Sequence, residues 1–290
     1  MNIKNKVKES VIKASSSNDY KIAILEDALT LEENPNAIWA LEMIIENIKI
    51  ANDKKTPLCD DTGIPHILIE IGNNREISGE LLCEIYEGIG QGLDFLPGRP
   101  MAVKGLDIER IEQSRGLYDG PSKVEVPNII IDNGSYTSTY SRKINEDTLN
   151  IHIVFLGGGP EIRAKTYRIF HKKDYKNVLD ESCNYLKNAL KLLGCTPAIP
   201  SIGIGRTHTE ANQLMIKGLI HGNLKKQSNI EKYITDKLNK TNIGPLGLGG
   251  LTTVLGTFIN IGPQRASGVR IVSSRPACFV EPRIATINLR

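Results

Sequence analysis

The chain has 290 residues, of which 40% are hydrophobic and 24% are charged, and its formal net charge is +3. This composition is typical of a globular protein with a full-sized core, and the well-mixed charges give no argument for a nucleic-acid partner. No stretch reaches the ~18 apolar residues of a membrane span, and the charged N-terminus lacks a signal-peptide core. Five cysteines, an odd number, fit a reducing compartment better than a disulfide framework, so we expect a cytoplasmic protein without a membrane partner.

The first half of the chain is predicted to begin with helices and to continue with strands. Apolar residues at helical spacing predict helices up to about residue 52, followed by a turn-rich loop at 57–65. The segment HILIEIG alternates like a strand, and a helix is predicted at about 79–93. Residues 124–155 are predicted to be β, in VEVPNIIID, SYTSTYS and TLNIHIVFL.

The second half is predicted to mix helices with strands. Helices are expected at 175–193, 207–221 and 228–240, and strands in IPSIGIG, TTVLGTFINI, GVRIVSS and ATINLR. Because the two kinds of element do not alternate strictly, we predict a mixed α/β fold, with a helical N-terminal segment followed by mixed β-sheets and packed helices. No linker or repeat divides the chain. We therefore predict one domain over residues 1–290, with two closely associated lobes at about 1–120 and 121–290.

Three cysteines lie in glycine- and proline-rich settings that are far apart in the sequence. They are Cys59 in PLCDDTGIP, Cys195 in GCTPAIPSIGIG and Cys278 in SSRPACFVEPR. No two have the spacing of a zinc-type CxxC pair. Three distant thiolates suit an iron–sulfur cluster with one iron free of a protein ligand, where a substrate hydroxyl could bind. Cys83 and Cys183 lie instead in amphipathic helical patterns, where cysteine is typically a small core residue.

Other motifs have a structural interpretation that is at least as good as a functional one. The loop that starts at Cys59 combines a thiol, two carboxylates and a hydroxyl, but such loops are more often polar surface turns. The glycines at 157–159 could offer N–H groups to an anionic oxygen, or could simply form a flexible turn. His66 and His152 lie in strand patterns that are typical of packing residues, and no histidine spacing indicates a zinc site.

Taken together, these motifs resemble one family over nearly the whole chain: the α subunit, or N-terminal catalytic region, of class I iron–sulfur-dependent fumarases and tartrate dehydratases. The resemblance implies a hydro-lyase that dehydrates or hydrates a small hydroxy acid reversibly. It implies that Cys59, Cys195 and Cys278 hold a [4Fe-4S] cluster. The similar segments are AILEDALTLEENPNAIWALEMIIENIKIA, PLCDDTGIPHILIEIG, FLGGGPE, GCTPAIPSIGIG, NIGPLGLGGLTTVLG and PACFVEPR.

The resemblance also implies the site residues around the first cysteine. The family has Cys-Gln-Asp-Thr-Gly where this chain has Cys-Asp-Asp-Thr-Gly. Asp61 is therefore expected to be the catalytic aspartate, and Asp60 replaces a glutamine that contacts the substrate. An arginine in the family's Arg-Asn-Thr-Gly-Asp-Asn motif corresponds to Arg115. The expected substrate-binding residues are Asp60, Thr62, Arg115, Gly158, Gly159, Arg206 and Arg265.

The chain departs from the family pattern at several of these positions. A family lysine is replaced by Leu156, the first residue of a glycine pair by Arg206, and a further lysine by Leu251. The family's histidine before the last cysteine falls near Arg265. Because arginine pairs bidentately with anionic groups, we expect a rebuilt pocket that still prefers an anionic substrate but binds fumarate and malate poorly.

The family resemblance also implies a partner. The family's β part, which carries the catalytic base, has no counterpart after Cys278, so we expect a separate β subunit. We expect an α₂β₂ heterotetramer that contains a homodimer of α chains. The alternative is a divergent cluster-binding protein with a sulfur-transfer, desulfurase or structural-subunit role. The lost lysine and histidine favour this alternative, whereas the retained Asp61 and Thr62 favour catalysis.

Overall fold

Three helices open the chain in the computed structural model, which describes residues 2–127 and 129–289. They are α1 (Ile3–Ser16), α2 (Asp19–Leu31) and α3 (Pro35–Lys54). The side chains of Asn2 and Asn34 accept hydrogen bonds from the first turns of α1 and α3, and Pro35 begins α3. The predicted helical N-terminal segment is therefore confirmed.

The rest of the chain supplies eight strands and six further helices among the described residues. Single 3₁₀ turns lie at Pro121–Lys123 and Pro245–Gly247. The elements follow in the order β1 (Ile64–Ile71), α4 (Gly79–Phe95), α5 (Asp107–Glu112), β2 (Ile130–Asp132), β3 (Leu149–Leu156), α6 (Gly158–Glu161), β4 (Lys165–Phe170), α7 (Tyr175–Lys191), β5 (Ile199–Gly205), α8 (His208–His221), α9 (Asn229–Asn239), β6 (Phe258–Ile261), β7 (Val269–Ala277) and β8 (Arg283–Asn288).

The strands form two mixed sheets of four strands each. The first sheet has the order β2-β1-β3-β8, with β1 and β2 parallel and the other pairs antiparallel. The second has the order β4-β7-β5-β6, with β5 and β6 parallel and the other pairs antiparallel. The predicted mixed α/β fold is confirmed. The division into two lobes stays a prediction, and the last strand, β8, belongs to the same sheet as β1.

Helix α8 packs between the two sheets. Its residues Met215 and Leu219 share an apolar cluster with Leu68 of the first sheet and Phe258 of the second. The helix approaches β5 so closely that a Cβ at Gly203 would lie 2.0 Å from the carbonyl oxygen of a residue in α8. Glycine is required there because no side chain fits between the two backbones. Helices α1 and α4 cover the opposite face of the first sheet, and α7 and α9 pack on the second.

The structure corrects several details of the predicted elements. Among the described residues of 124–148 only the three-residue β2 is a strand, so SYTSTYS is not one; Asn128 lies outside the described residues. Strand β4 was not predicted, because its side chains at this sheet edge do not alternate between apolar and polar. Cys183 is buried as expected, but Cys83 is exposed on α4. No helix in the described part of the chain has the length and apolarity to cross a membrane.

Candidate functional site

Three cysteines from distant parts of the chain meet at one end of the second sheet. Cys195 precedes β5 and Cys278 follows β7, and these antiparallel strands pair Ile199 with Ala277 at that end. The N–H of Phe279 donates a hydrogen bond of 3.3 Å to the carbonyl of Cys195. The backbone therefore joins the two cysteine segments directly.

Cys59 reaches the same place from the loop between α3 and β1. Its side chain and that of Cys278 pack against the apolar cluster formed by α2 and α3. Burial raises the pKa of the Cys195 thiol, and the nearby carboxylate of Asp61 also raises it. The structure thus places the three segments that carry the predicted cluster ligands next to one another, with Asp61 near Cys59 and Cys195.

The sulfur atoms of this group have the surroundings that a metal centre needs. All five cysteines of the chain are free thiols. Burial raises the pKa of the Cys59 and Cys278 thiols, while the backbone of Asp61 lowers that of Cys59 and the backbones of Val280 and Glu281 lower that of Cys278. Backbone groups that favour a thiolate also favour a metal-bound thiolate. Because soft thiolates select iron–sulfur clusters or zinc, the donor set fits the cluster that the family resemblance implies.

Asp61 is fixed by two backbone amides. The N–H of Gly158 donates to its Oδ2 at 2.7 Å, and the N–H of Gly63 donates to Oδ1 at 3.0 Å. Arg283 donates to the carbonyl oxygen of Asp61 at 2.8 Å. Gly63 has φ +75°, and a Cβ there would lie 2.5 Å from the guanidinium of Arg283, so the turn requires glycine. The predicted anion-binding glycine run therefore holds a carboxylate of the chain itself.

A buried ion pair between Arg275 and Glu281 hydrogen-bonds to the backbone of the glycine run at Gly157. Arg275 is fully buried and binds both carboxylate oxygens of Glu281, at 3.0 and 2.8 Å. It also contacts Glu161 and donates to the carbonyl of Gly157 at 2.9 Å. Glu281 in turn accepts the N–H of Gly157 at 2.5 Å. Because Arg275 is buried and fully engaged, we interpret it as a structural residue and not as a substrate ligand.

Lys21 of α2 holds the segment that follows Cys278. Its buried ammonium group donates to the carbonyls of Phe279, Val280 and Glu281 at 2.8, 3.1 and 2.6 Å. Burial lowers the pKa of Lys21 to about 7, and the charges of Cys278 and Glu281 oppose this effect. The sequence analysis missed this lysine. Its signal was its position on the apolar face of α2, at helical spacing from residues 25 and 28.

Replacing Lys21 with methionine should lower the free energy of unfolding by about 2 kcal/mol. Three carbonyls would lose their hydrogen-bond donor, which destabilises the folded chain. The substitution also removes the cost of burying an ammonium group, but this gain is smaller than the loss of the three hydrogen bonds. Urea unfolding followed by circular dichroism measures the change. Lys49→Met is the matched control, because Lys49 is 56% exposed and pairs with Glu26 at 3.7 Å. Equal stability of the two variants would contradict a structural role for Lys21.

Two further predicted residues lie in the Cys59 loop. The side chain of Asp60 is 77% exposed and lies 3.4 Å from the guanidinium of Arg99. Thr62 is buried, and its hydroxyl donates to the carbonyl of Arg99 at 2.7 Å. Arg99 is therefore a cation beside the site that the sequence analysis did not single out. Its turn-rich setting, LPGRP, was interpreted only as a helix end.

The remaining predicted arginines lie elsewhere. The seven-residue strand β5 separates Arg206 from Cys195, a span of roughly 23 Å, and Arg206 pairs with Glu210 at 2.6 Å. Arg265 precedes the nine-residue strand β7 and lies at that same far end of the sheet. Arg115 follows α5 and pairs with Glu109 at 3.3 Å. The structure does not bring Arg206 or Arg265 to Asp61, so their role in binding substrate stays a prediction.

A second group of possible metal ligands lies away from the cysteines. Glu70, His152 and His221 are buried, and their ligand atoms lie within 4.8 Å of one another. His152 was predicted as a packing residue. The sequence did not indicate this group, because its members come from β1, β3 and α8 and meet only in the folded chain.

Comparisons with known proteins agree with the geometry of the cysteine site. A family model described as fumarate hydratase (fumerase) matches residues 4–288. The putative L(+)-tartrate dehydratase subunit alpha of Methanocaldococcus jannaschii is 30% identical over 248 residues, which cover 82% of this chain and 80% of that protein. The L(+)-tartrate dehydratase subunit alpha of Escherichia coli strain K12 is 24% identical over 247 residues, or 83% of this chain and 75% of that protein. The chain therefore belongs to the fumarate hydratase (fumerase) family of hydro-lyases.

Proposed function

We propose that this chain is the α subunit of a [4Fe-4S]-dependent hydro-lyase that acts on a small anionic hydroxy acid. The observation that carries the proposal is the convergence of Cys59, Cys195 and Cys278 beside a fixed aspartate, Asp61. Two relatives named as tartrate dehydratase α subunits support the subunit assignment. The free thiols support a reducing, cytoplasmic location.

The three cysteines would hold the cluster from three separate loops. When bound, the cluster would supply a Lewis-acidic iron without a protein ligand, where a substrate hydroxyl and carboxylate can bind. The scaffold under these loops is rigid, because Lys21 and the Arg275–Glu281 pair tie the segment after Cys278 to α2 and to the glycine run.

Asp61 is the residue that we propose for catalysis. Each of its carboxylate oxygens accepts one backbone N–H and retains a further lone pair. These lone pairs can accept a hydrogen bond from a substrate hydroxyl or from a base on the β subunit. Asp61 would therefore orient the group that transfers the proton. Because two backbone hydrogen bonds already fix its carboxylate, the carboxylate needs little reorganisation during the reaction.

Two arginines near the cysteines are candidates for binding a substrate carboxylate. Arg99 lies beside Asp60, and its side chain is 57% exposed. Arg163 donates to the carbonyl of Gly159 at 2.8 Å, and its charge lowers the pKa of the Cys195 thiol against the larger effect of burial. Their positive charges would compensate for the charge of the family's lysine. At that position this chain has Leu156, an uncharged residue that is buried against α8.

The exposed surface beside the site is an argument for a separate β subunit. Cys195 is exposed, and so is the N–H-bearing Gly158. Three apolar side chains are also exposed. Ile162, which follows α6, is 78% exposed, and Leu248 and Leu251 are 42% and 50% exposed. Apolar groups around an open polar site are typical of a surface that a partner covers. We propose that the β subunit covers this side and supplies the base, within an α₂β₂ assembly.

The test is an assay of the anaerobically reconstituted α–β complex on hydroxy acids of different charge. Asp61→Asn should lower kcat by about 10²- to 10⁴-fold, the usual contribution of general acid–base groups, and leave the iron content unchanged. Asp53→Asn, at an exposed position on α3, is the matched control and should keep full turnover. Unchanged turnover in Asp61→Asn would refute the catalytic role. A cluster-loaded complex that hydrates or dehydrates none of the acids would favour the alternative, a cluster-binding protein without hydro-lyase activity.

A further inference from the structure

Two histidines direct the same ring nitrogen at one buried carboxylate. The Nε2 of His152 lies 3.1 Å from Oε2 of Glu70, and the Nε2 of His221 lies 3.4 Å from Oε1. The three side chains are only 7%, 4% and 8% exposed, in the order His152, His221 and Glu70. The two rings stand edge to face, with their centroids 5.4 Å apart. The three ligand atoms therefore surround one small volume in the interior.

Ordinary hydrogen bonds do not fully account for this arrangement. The Nε2 of His152 is buried and has no hydrogen-bond partner of acceptable geometry among the described residues, although it faces Glu70. In a tetrahedral zinc site, bonds of 2.0–2.1 Å place neighbouring ligand atoms about 3.3 Å apart. Each histidine nitrogen lies at a similar distance from one of the two carboxylate oxygens of Glu70, 3.1 Å for His152 and 3.4 Å for His221, and the three ligand atoms lie within 4.8 Å of one another.

The outer contacts also resemble those of a metal site. The other ring nitrogen of His152, Nδ1, lies 3.0 Å from the hydroxyl of Thr286. The side-chain amide of Asn150 donates to Oε2 of Glu70 at 3.0 Å. Metal-binding histidines and carboxylates are usually oriented by hydrogen bonds to neighbouring residues that do not bind the metal themselves. Thus both β3 and β8 contribute groups that fix the orientation of the ligands.

A pocket reaches one member of this group, Glu70, from outside. Glu70 lines a cavity of about 610 Å³ together with Arg75, Arg142 and Lys143. The cavity leaves room for a fourth ligand, such as water or a small anion. The cations around it favour an anion there, and they disfavour a bare divalent ion. Lys217, which also faces His221, is compensated by its own ion pair.

We propose that Glu70, His152 and His221 bind one divalent ion of the zinc class, with a fourth position open to the pocket. This site lies toward the far end of β1 from Asp61, roughly 20 Å along the strand, and is separate from the cysteine site. An ion there joins β1 and β3 of the first sheet to α8, which packs against the second sheet. It therefore stabilises the contact between the two sheets, because it binds only the folded chain.

The test is Co²⁺ and Zn²⁺ titration of the full chain after treatment with a chelator. In the variant Cys59→Ser/Cys195→Ser/Cys278→Ser, Co²⁺ should give only the visible bands of a tetrahedral nitrogen–oxygen site. In the wild-type chain, sulfur charge-transfer bands should appear in addition, because the cysteines also bind Co²⁺. One equivalent of Zn²⁺ should displace Co²⁺ from the triple variant. A Zn²⁺ concentration 100-fold above Kd should raise the melting temperature by about 5 °C.

Four variants separate the proposed site from other sources of binding. Glu70→Gln and His221→Ala should each weaken Co²⁺ binding by at least about 100-fold, since loss of a mere orienting partner already costs 10- to 100-fold. His208→Ala, an exposed histidine at the start of the same helix, should bind normally. Cys59→Ser should keep the nitrogen–oxygen bands. Glu70→Gln conserves the shape of the side chain, so it provides the test even if His221→Ala does not fold. Wild-type affinity in Glu70→Gln, or no nitrogen–oxygen bands in the wild type, would overturn the proposal.

Discussion

Anaerobic reconstitution of the Cys278→Ser variant is expected to yield protein without a stable cluster, whereas the wild-type chain should bind about four irons, the number in the implied [4Fe-4S] cluster. Serine cannot replace the thiolate, because a hydroxyl is a harder ligand that does not select iron–sulfur clusters. The surrounding loop should remain folded, since Lys21 holds it through backbone carbonyls that the substitution does not touch. Iron and sulfide analysis and the visible absorption spectrum measure the loss.

The same loss is expected for Cys59→Ser and Cys195→Ser. The matched controls are Cys83→Ser and Cys183→Ala, because these cysteines lie on α4 and α7, away from the site. Both controls should bind as much iron as the wild type. Full iron loading in Cys195→Ser would show that Cys195 is not a ligand. Loss of iron in Cys83→Ser would show that iron content does not report on the proposed site.

Arg275→Met is expected to lower the free energy of unfolding by about 3–5 kcal/mol, the usual cost of removing one partner from a buried ion pair. Arg275 is 0% exposed and Glu281 is 1% exposed, so the carboxylate would remain buried without its counter-charge. Urea or thermal unfolding measures the change. Arg206→Met is the matched control. It removes an arginine from a surface pair that is 46% exposed on the arginine side, so the free energy of unfolding should change far less than in Arg275→Met.

A double variant distinguishes the ion pair from simple packing. In Arg275→Met/Glu281→Met neither member of the pair is left as an unpaired buried charge, so part of the lost stability should return, although the N–H and the carbonyl of Gly157 would still lose their partners. A double variant that is as unstable as the sum of the two single variants would show that the two side chains do not act as a pair. Such additivity is expected only of residues without contact, and this pair has two hydrogen bonds.

Local sequence patterns determined much of the fold and pointed to the proposed ligands of the site. Helical spacing predicted α3, α4, α7 and α8, because this signal acts within a few residues of the chain. Alternation predicted β1 and β3 for the same reason. The cysteine settings and the Asp-Asp-Thr-Gly motif indicated the cluster ligands and Asp61, because a binding loop carries its chemistry in one short segment.

Only the tertiary structure decided which distant groups support or extend the site. Lys21 and Phe279 are separated by 258 positions, and Asp61 and Gly158 by 97, so no local spacing relates them. The arginines at 206 and 265 looked like substrate ligands in the sequence, but strands β5 and β7 carry them to the opposite end of the sheet. Glu70, His152 and His221 meet only because α8 packs between the two sheets. Long-range packing, which buries these polar groups and selects their partners, is the physical reason that the sequence alone could not show them.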